Sequence, residues 1–259
     1  MSGKVGTIPK IVNNLEFKTD NQKLFYQKIS DFNNQLILCH GIAGTGKTYV
    51  SCYKALQDVL RRGLPYDKLI IINPTVDVGN EDKLGYLPGE LSQKIQQYNE
   101  STFTILNSIV GKAKANKLIQ DGKVEIGVLN FLRGVNLENC YVVLDEAQNA
   151  TPSQIKTFLT RIGNGSKFIV NGDLMQSDIR RENGLEDSIK RFTGLKRVGF
   201  SRFVLEDVVR HPIVAELLER YKDEYELGAL SAEETLSLWL KNQEYDENKF
   251  SNYFFKLRN

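Results

Sequence analysis

The feature that most constrains this 259-residue chain is a run of eight residues, Gly41-Ile42-Ala43-Gly44-Thr45-Gly46-Lys47-Thr48. It follows an apolar, strand-like stretch at residues 36–39 and precedes a segment, 48–62, whose apolar residues have helical spacing. The run fits the pattern G-x-x-x-x-G-K-[ST] at every fixed position. The sequence therefore predicts a strand, a phosphate-binding turn and a helix in that order.

This spacing has a physical reason. The glycines allow consecutive backbone N–H groups to turn inward around phosphate oxygens, and the helix that follows directs its positive dipole end at them. We predict that all eight residues, Gly41 to Thr48, bind a nucleotide. Lys47 would neutralise the β- and γ-phosphates and act in catalysis, and the Thr48 hydroxyl would be a ligand of Mg²⁺.

Further apolar, β-rich runs predict the remaining strands, with helix-length segments between them. The runs lie at residues 69–72, 124–126, 141–144, 168–170 and 196–200. Most of them are nearly continuous in hydrophobicity, as buried parallel strands are. This β-α alternation predicts an α/β fold with a covered parallel sheet.

Helix signals divide the rest of the chain. We predict one or two helices within 92–120, a helix from Thr151-Pro152 to Ile162, and a helix over 213–225 with an apolar stripe. After Gly228 the composition changes, and a capping-box pattern at 231–234 opens a short helix. The predicted organisation is an N-terminal segment, a main domain and a C-terminal helical extension, at residues 1–18, 19–228 and 229–259.

The composition excludes several classes of protein. Lys plus Arg total 34 and Asp plus Glu total 32, so any contact with nucleic acid must come from a local patch rather than from a polybasic chain. No stretch reaches the roughly 18 apolar residues of a membrane-spanning helix, and the first residues lack the apolar core of a signal peptide. We expect a cytoplasmic protein without membrane contact, whose Cys39, Cys52 and Cys140 are buried thiols.

Two adjacent carboxylates follow the fourth predicted strand. Asp145 would hold Mg²⁺, and Glu146 beside it would polarise the attacking water as a catalytic base. A phosphotransferase that acts on an alcohol has less use for the second carboxylate. Together with the phosphate loop, this pair predicts ATP hydrolysis with ATP and Mg²⁺ as cofactors.

A glutamine follows the fifth predicted strand. Gln176 comes after Asn171-Gly172-Asp173, at the sheet edge where the γ-phosphate would lie, and its amide could sense that phosphate. The alternative interpretation is a turn built from Gly172 and Asp173, with an incidental glutamine after it.

Further motifs accompany these residues: G-Y-L-P-G-E-L at 85–91, R-G at 133–134, L-D-E-A-Q-N at 144–149, G-D-L-M-Q at 172–176 and E-D-V-V-R-H-P at 206–212. In this order, and with the phosphate loop, they resemble the PhoH-like family of P-loop ATPases, whose core is similar to a single motor domain of superfamily 1 helicases. The motifs extend over residues 20–225. The resemblance implies a P-loop NTPase fold with a RecA-like parallel sheet flanked by helices.

The resemblance also implies roles for residues outside the phosphate loop. Gln22 looks like the residue that reads the adenine edge in this family, although an exposed helix start would also suit it. Arg210 looks like the family's arginine before a proline-opened helix and would stabilise the transferring phosphoryl group in catalysis. Arg202 is its rival, and either arginine could instead be a solvated surface residue.

Partners follow from the same resemblance. It implies action on single-stranded RNA, or DNA, with helicase-like remodelling. The chain has only one motor domain, so the arginine would have to come from a neighbouring subunit, and we expect a homo-oligomeric ring, with a hexamer favoured. Candidate nucleic-acid contacts are the loop 74–89 and Lys112, Lys114 and Lys117, for which a turn and a solvated face are the simpler interpretations.

Three questions stay open at this point. Val135 and Asn136 stand where the family usually carries an arginine and a threonine, and the stretch after Gly228 has no family counterpart. Only Gln22 favours ATP over GTP. The alternatives to a nucleic-acid motor are a nucleotide-gated regulatory or assembly protein with slow turnover, and an ATPase partner of a ribonuclease.

Overall fold

The structure, a computed structural model, describes residues 15–74, 100–129, 136–179, 183–210 and 212–220. Six strands form one sheet, in which each strand runs parallel to its neighbours and the order is β3-β2-β4-β5-β1-β6. The strands are β1 Leu36–Gly41, β2 Lys68–Asn73, β3 Val124–Val128, β4 Cys140–Leu144, β5 Lys167–Gly172 and β6 Val198–Phe203. The predicted α/β fold with a parallel sheet is confirmed.

Helices cover both faces of this sheet. They are α1 Asp20–Ser30, α2 Lys47–Val59, α3 at 100–110, α4 Lys112–Gln120, α5 Pro152–Leu159, α6 Gly184–Phe192 and α7 Pro212–Glu219. Helix α5 begins with a capping box between Thr151 and Gln154 and has proline at its first turn, as its sequence predicts. It ends at Leu159 instead of Ile162, because Ile162 forms a β-bridge with Leu137.

Alternate residues of the central strands face two separate cores. On one face Cys39, Ile71, Val143 and Ile169 pack with Phe25, Cys52 and Leu56 of α1 and α2. On the other face Leu38, Ile72, Leu144 and Val170 pack with Ile155, Phe158 and Leu185 of α5 and α6. Burial on both faces explains why these strands are nearly continuous in hydrophobicity. All three cysteines are buried free thiols, as predicted.

The apolar stripe predicted for the helix over 213–225 is not part of this core. Leu217 of α7 is 55% exposed and Ile213 is 49% exposed. Among the described residues, no helix combines the length and apolar character that crossing a membrane requires. The motifs at 85–91 and 133–134, His211, the short helix predicted after Gly228 and the extension 229–259 lie outside the described residues.

A charged group lies inside the first core. The carboxylate of Asp58 accepts a hydrogen bond from the Tyr141 hydroxyl at 2.6 Å and pairs with the Lys54 ammonium, also at 2.6 Å. Burial, the Asp58 charge and the hydrogen bond raise the pKa of Tyr141 well above its usual range, so the hydroxyl remains a donor. Both oxygens of the buried carboxylate are thereby satisfied.

We expect Tyr141→Phe to lower the free energy of unfolding by about 1–3 kcal/mol, because it leaves one buried carboxylate oxygen without its donor. Urea denaturation measures this change. Tyr49→Phe is the matched control, since the Tyr49 side chain is only half-buried, and its effect should stay within about 0.5 kcal/mol. Equal losses in the two variants would contradict the role given to the Tyr141 hydroxyl.

Candidate nucleotide site

The phosphate loop joins β1 to α2 and closes around the Lys47 ammonium. Lys47 is the first residue of α2, and Gly46 before it has a left-handed backbone, with φ of 85°. The Lys47 Nζ donates to the carbonyl oxygens of Gly41 at 2.7 Å and Ile42 at 2.8 Å. The Thr45 hydroxyl donates to the same Ile42 carbonyl at 2.8 Å. The loop thus holds a buried positive charge beside the N-terminus of a helix, a combination that favours phosphate.

The Thr48 hydroxyl meets the first carboxylate after β4. Its Oγ1 lies 2.8 Å from each carboxylate oxygen of Asp145, and the Asp145 N–H donates to the Ile72 carbonyl, which fixes the end of β4 against β2. Burial and the neighbouring Glu146 charge raise the pKa of Asp145 to about 6, while Thr48 and Lys47 act in the opposite direction. A desolvated carboxylate beside a hydroxyl is an oxygen donor set that suits Mg²⁺.

Glu146 has an unusual backbone. Its φ and ψ are 52° and 36°, the left-handed region that non-glycine residues rarely adopt. This conformation turns the chain into the short 3₁₀ helix Ala147–Asn149 directly after the strand and leaves the Glu146 side chain exposed. The Gln148 side-chain amide donates to the Glu146 carboxylate at 2.7 Å. The second carboxylate is therefore held by a neighbour and still open to solvent.

The end of β5 contributes a third carboxylate. Asp173 is 4% exposed, and its Oδ2 accepts from the Ala43 N–H of the phosphate loop at 2.9 Å. Its Oδ1 accepts from the Met175 N–H at 3.0 Å, which builds the turn that the sequence offered as an alternative. Gln176 is exposed at the end of this turn. Its role as a sensor of the γ-phosphate stays a prediction.

Gln22 reaches the phosphate loop from α1. It is 4% exposed, so it is not an exposed helix start. Its Nε2 donates to the Thr45 carbonyl at 3.0 Å, and its Oε1 accepts from the Lys18 N–H at 2.8 Å. The structure brings Gln22 to the loop, and contact with a base edge stays a prediction.

Arg210 lies against the phosphate loop of its own chain. The φ of Gly44 is 83°, and a Cβ atom at this glycine would lie 2.5 Å from the Arg210 Nε. The Val209 N–H donates to the Gly44 carbonyl at 3.1 Å. Only glycine allows both this backbone conformation and this close approach. Arg202 lies on β6, paired in register with His40 of β1.

Sequence reasoning missed two residues that support the loop before Arg210. The Asn21 side chain donates to the Asp207 carboxylate at 2.7 Å, and the Val204 N–H donates to the same oxygen at 2.8 Å. Asp207 is buried. Its position within the motif at 206–212 was the available signal, and only the fold shows that it is buried and which groups donate to it.

The lysines proposed for nucleic-acid contact lie on α4. Lys112 and Lys117 are exposed and Lys114 is half-buried, while Lys117 is 3.6 Å from Asp121. This arrangement fits the simpler interpretation, a solvated helix face. Beyond Pro74, the loop 74–89 lies outside the described residues.

The fold and this site together define a P-loop NTPase with a RecA-like sheet. Its phosphate loop follows β1, its paired carboxylates follow β4, and β5 lies between these two strands. The large terminase of a thermophilic bacteriophage has a similar fold, with a TM-score of 0.52 and 13% identity, over 84% of this chain and 54% of that one.

The chain belongs to the PhoH-like protein family, which its sequence matches over residues 14–222. It is 40% identical to a PhoH-like protein of Bacillus subtilis (strain 168) over 190 residues, 73% of this chain and 58% of the relative. It is 36% identical to Protein PhoH of Escherichia coli (strain K12) over 203 residues, 77% of this chain and 56% of the relative. The chain thus spans less than two thirds of the length of these curated relatives.

Proposed function

We propose that this chain is an Mg²⁺-dependent ATPase. The observation that carries the proposal is the convergence of Lys47, Thr48, Asp145 and Glu146 at the carboxyl ends of two parallel strands, where ligands of open α/β sheets bind. Thr48 and Asp145 would hold Mg²⁺, which when bound neutralises negative charge on the phosphate oxygens. Nucleotide binding follows from the phosphate loop, and hydrolysis follows from the second carboxylate.

Each side chain then has one task. Lys47 exchanges the carbonyl oxygens of Gly41 and Ile42 for phosphate oxygens, which are stronger partners for an ammonium group. Glu146 is exposed, so a water molecule can reach its carboxylate and transfer a proton to it. The water oxygen then bonds to the γ-phosphorus while the bond from that phosphorus to the bridging oxygen breaks, and ADP leaves. Gln176 and Gln22 keep the roles predicted for them, as contacts of the γ-phosphate and of the base.

We propose further that Arg210 acts on the nucleotide of its own chain. Its stem packs on Gly44, so a small rotation of the side chain would bring the guanidinium to phosphates held in the same loop. The arginine that stabilises phosphoryl transfer can belong to the same chain as the nucleotide site or to a neighbouring one. A ring, hexameric or other, therefore stays a prediction that this arginine does not require.

Arg210→Ala should lower the hydrolysis rate at least tenfold, because a charge-assisted contact with phosphate is lost. Arg210→Ala subunits mixed with Glu146→Gln subunits should show no more activity than the two proteins measured apart. Steady-state hydrolysis of the mixture, after co-refolding and with the oligomeric state checked by light scattering, measures this. Restored activity in the mixture would mean that the arginine acts on a neighbouring subunit.

We propose that the chain couples ATP hydrolysis to movement on, or remodelling of, a single-stranded nucleic acid, with RNA favoured over DNA. The support for this proposal is the resemblance of the six motifs to the PhoH-like family, whose core is similar to a single motor domain of superfamily 1 helicases. Binding to such a polynucleotide should weaken as the salt concentration rises, since basic side chains that neutralise its phosphates release counterions.

The test is steady-state ATP hydrolysis with Mg²⁺, with and without single-stranded RNA and DNA. Glu146→Gln supplies the background rate for each condition. We expect stimulation by one polymer, which would also identify the nucleic acid on which the chain acts. Hydrolysis indifferent to both polymers would contradict the nucleic-acid proposal and favour a nucleotide-gated assembly protein.

A further inference from the structure

Gln148 has a buried side-chain amide with a partner at each end. The residue is 1% exposed although it lies two positions after Glu146, at the mouth of the site. Its Nε2 donates to the Glu146 carboxylate at 2.7 Å, and its Oε1 accepts from the Asp173 N–H at 2.9 Å. A backbone N–H can only donate, so the oxygen of the amide must face Asp173 and its nitrogen must face Glu146.

The neighbouring strand makes room for this amide. A Cβ atom at Gly172, the last residue of β5, would lie 2.6 Å from the Gln148 Oε1. Because β5 lies between β1 and β4, its end lies between the strand that leads into the phosphate loop and the strand that leads into the carboxylates. Glycine at position 172 therefore leaves room for the Gln148 side chain to reach from the turn after β4 to the end of β5.

The connection continues to the phosphate loop through Asp173. The Asp173 carboxylate accepts from the Ala43 N–H at 2.9 Å, and its own N–H donates to Gln148. One line of hydrogen bonds thus runs from Ala43 through Asp173 and Gln148 to the carboxylate of Glu146. All four residues of this line belong to the same chain.

We propose that Gln148 is a positioning residue for ATP hydrolysis. Its side-chain amide holds the Glu146 carboxylate in a fixed position relative to the phosphate loop, through Asp173. An exposed glutamate otherwise samples several rotamers, and fixing one costs conformational entropy before each turnover. The amide removes part of that cost and limits the carboxylate to one direction. This inference rests on the proposed ATPase function, in which Glu146 receives the proton of the attacking water.

Two substitutions test the inference. Gln148→Glu has the same length and keeps the acceptor for the Asp173 N–H, but it places a second carboxylate against Glu146. Gln148→Met has a similar length and removes both bonds. We expect kcat to fall about 10- to 100-fold in both variants. The dissociation constant for a fluorescent ATP analogue should stay within about twofold of wild type, since no phosphate contact is lost.

Gln120→Met, an exposed residue at the end of α4, is the matched control and should leave both quantities unchanged. Thermal unfolding of each variant checks that the fold is intact. Equal losses of binding and kcat in the Gln148 variants would reveal a merely structural residue and overturn the inference. A higher kcat would mean that the Gln148 amide keeps the Glu146 carboxylate away from the attacking water. That result would also overturn the inference.

A double-mutant cycle decides whether Gln148 acts through Glu146. In a Glu146→Gln background, Gln148→Met should cause no further loss in single-turnover hydrolysis, because the carboxylate that it positions is already gone. If the two substitutions together lowered the hydrolysis rate by the product of their separate effects, the inference would be contradicted. Failure of the proposed function is distinguishable, because the wild-type protein would then not hydrolyse ATP, or Glu146→Gln would be fully active.

Discussion

Glu146→Gln is expected to leave ATP binding intact and to lower the rate of hydrolysis by about 10²- to 10⁴-fold, the usual contribution of a general base. The amide cannot accept the proton of the attacking water. Its side-chain oxygen can still accept the hydrogen bond from Gln148, and the Thr48–Asp145 pair is untouched. Binding of a fluorescent ATP analogue and release of phosphate measure the two halves of this prediction.

Glu125→Gln is the matched control for this substitution. Glu125 lies on β3 at the far edge of the sheet, where it is exposed and pairs with Lys68. Its loss should change neither ATP binding nor turnover. Hydrolysis at the wild-type rate in Glu146→Gln would remove Glu146 from catalysis and leave the proposed ATPase without a base.

Lys47→Ala is expected to weaken ATP binding at least about 100-fold and to abolish measurable turnover. A buried ammonium that makes charge-assisted bonds to two phosphates supplies about 1.5–3 kcal/mol per bond. The Gly41 carbonyl oxygen would also lose its bond from Lys47, while the Ile42 carbonyl would keep its bond from the Thr45 hydroxyl. Isothermal titration with ATP and Mg²⁺, together with a phosphate-release assay, measures both effects.

Lys23→Ala controls for the loss of a lysine, because Lys23 is exposed on α1 and lies outside the proposed machinery. It should bind and hydrolyse ATP as the wild type does. Thermal unfolding of Lys47→Ala shows whether the substitution has damaged only the nucleotide site or the whole fold. If Lys47→Ala retained both binding and turnover, the assignment of residues 41–48 as a phosphate loop would be wrong.

The sheet could be predicted from the sequence because its strands are short, nearly continuous apolar runs separated by helix-length segments. Residues 69–72 and 141–144, for example, are buried on both faces, so their patterns leave little choice. The order of the strands could not be predicted. The same β-α alternation fits several orders, and the choice depends on packing between segments that lie far apart in sequence.

The candidate site divides in the same way. Lys47 and Thr48 could be proposed because the phosphate-loop pattern places them at the start of a helix, and Asp145 and Glu146 because they directly follow a strand. The bond between Gln148 and Asp173 could not, since it exists only because β5 lies between β1 and β4. The path of the chain after β6, which brings Arg210 back to Gly44, is likewise set by tertiary packing.

The strand order has a consequence for the evolution of specificity. Two strand spacings, about 10 Å in all, separate the end of β1 from the end of β4, where the carboxylates follow. Gln22 approaches the loop from the opposite side, on a helix that packs against β6 and α2. Substitutions on α1 that alter the proposed base contact of Gln22 can therefore accumulate without moving the two carboxylates that follow β4.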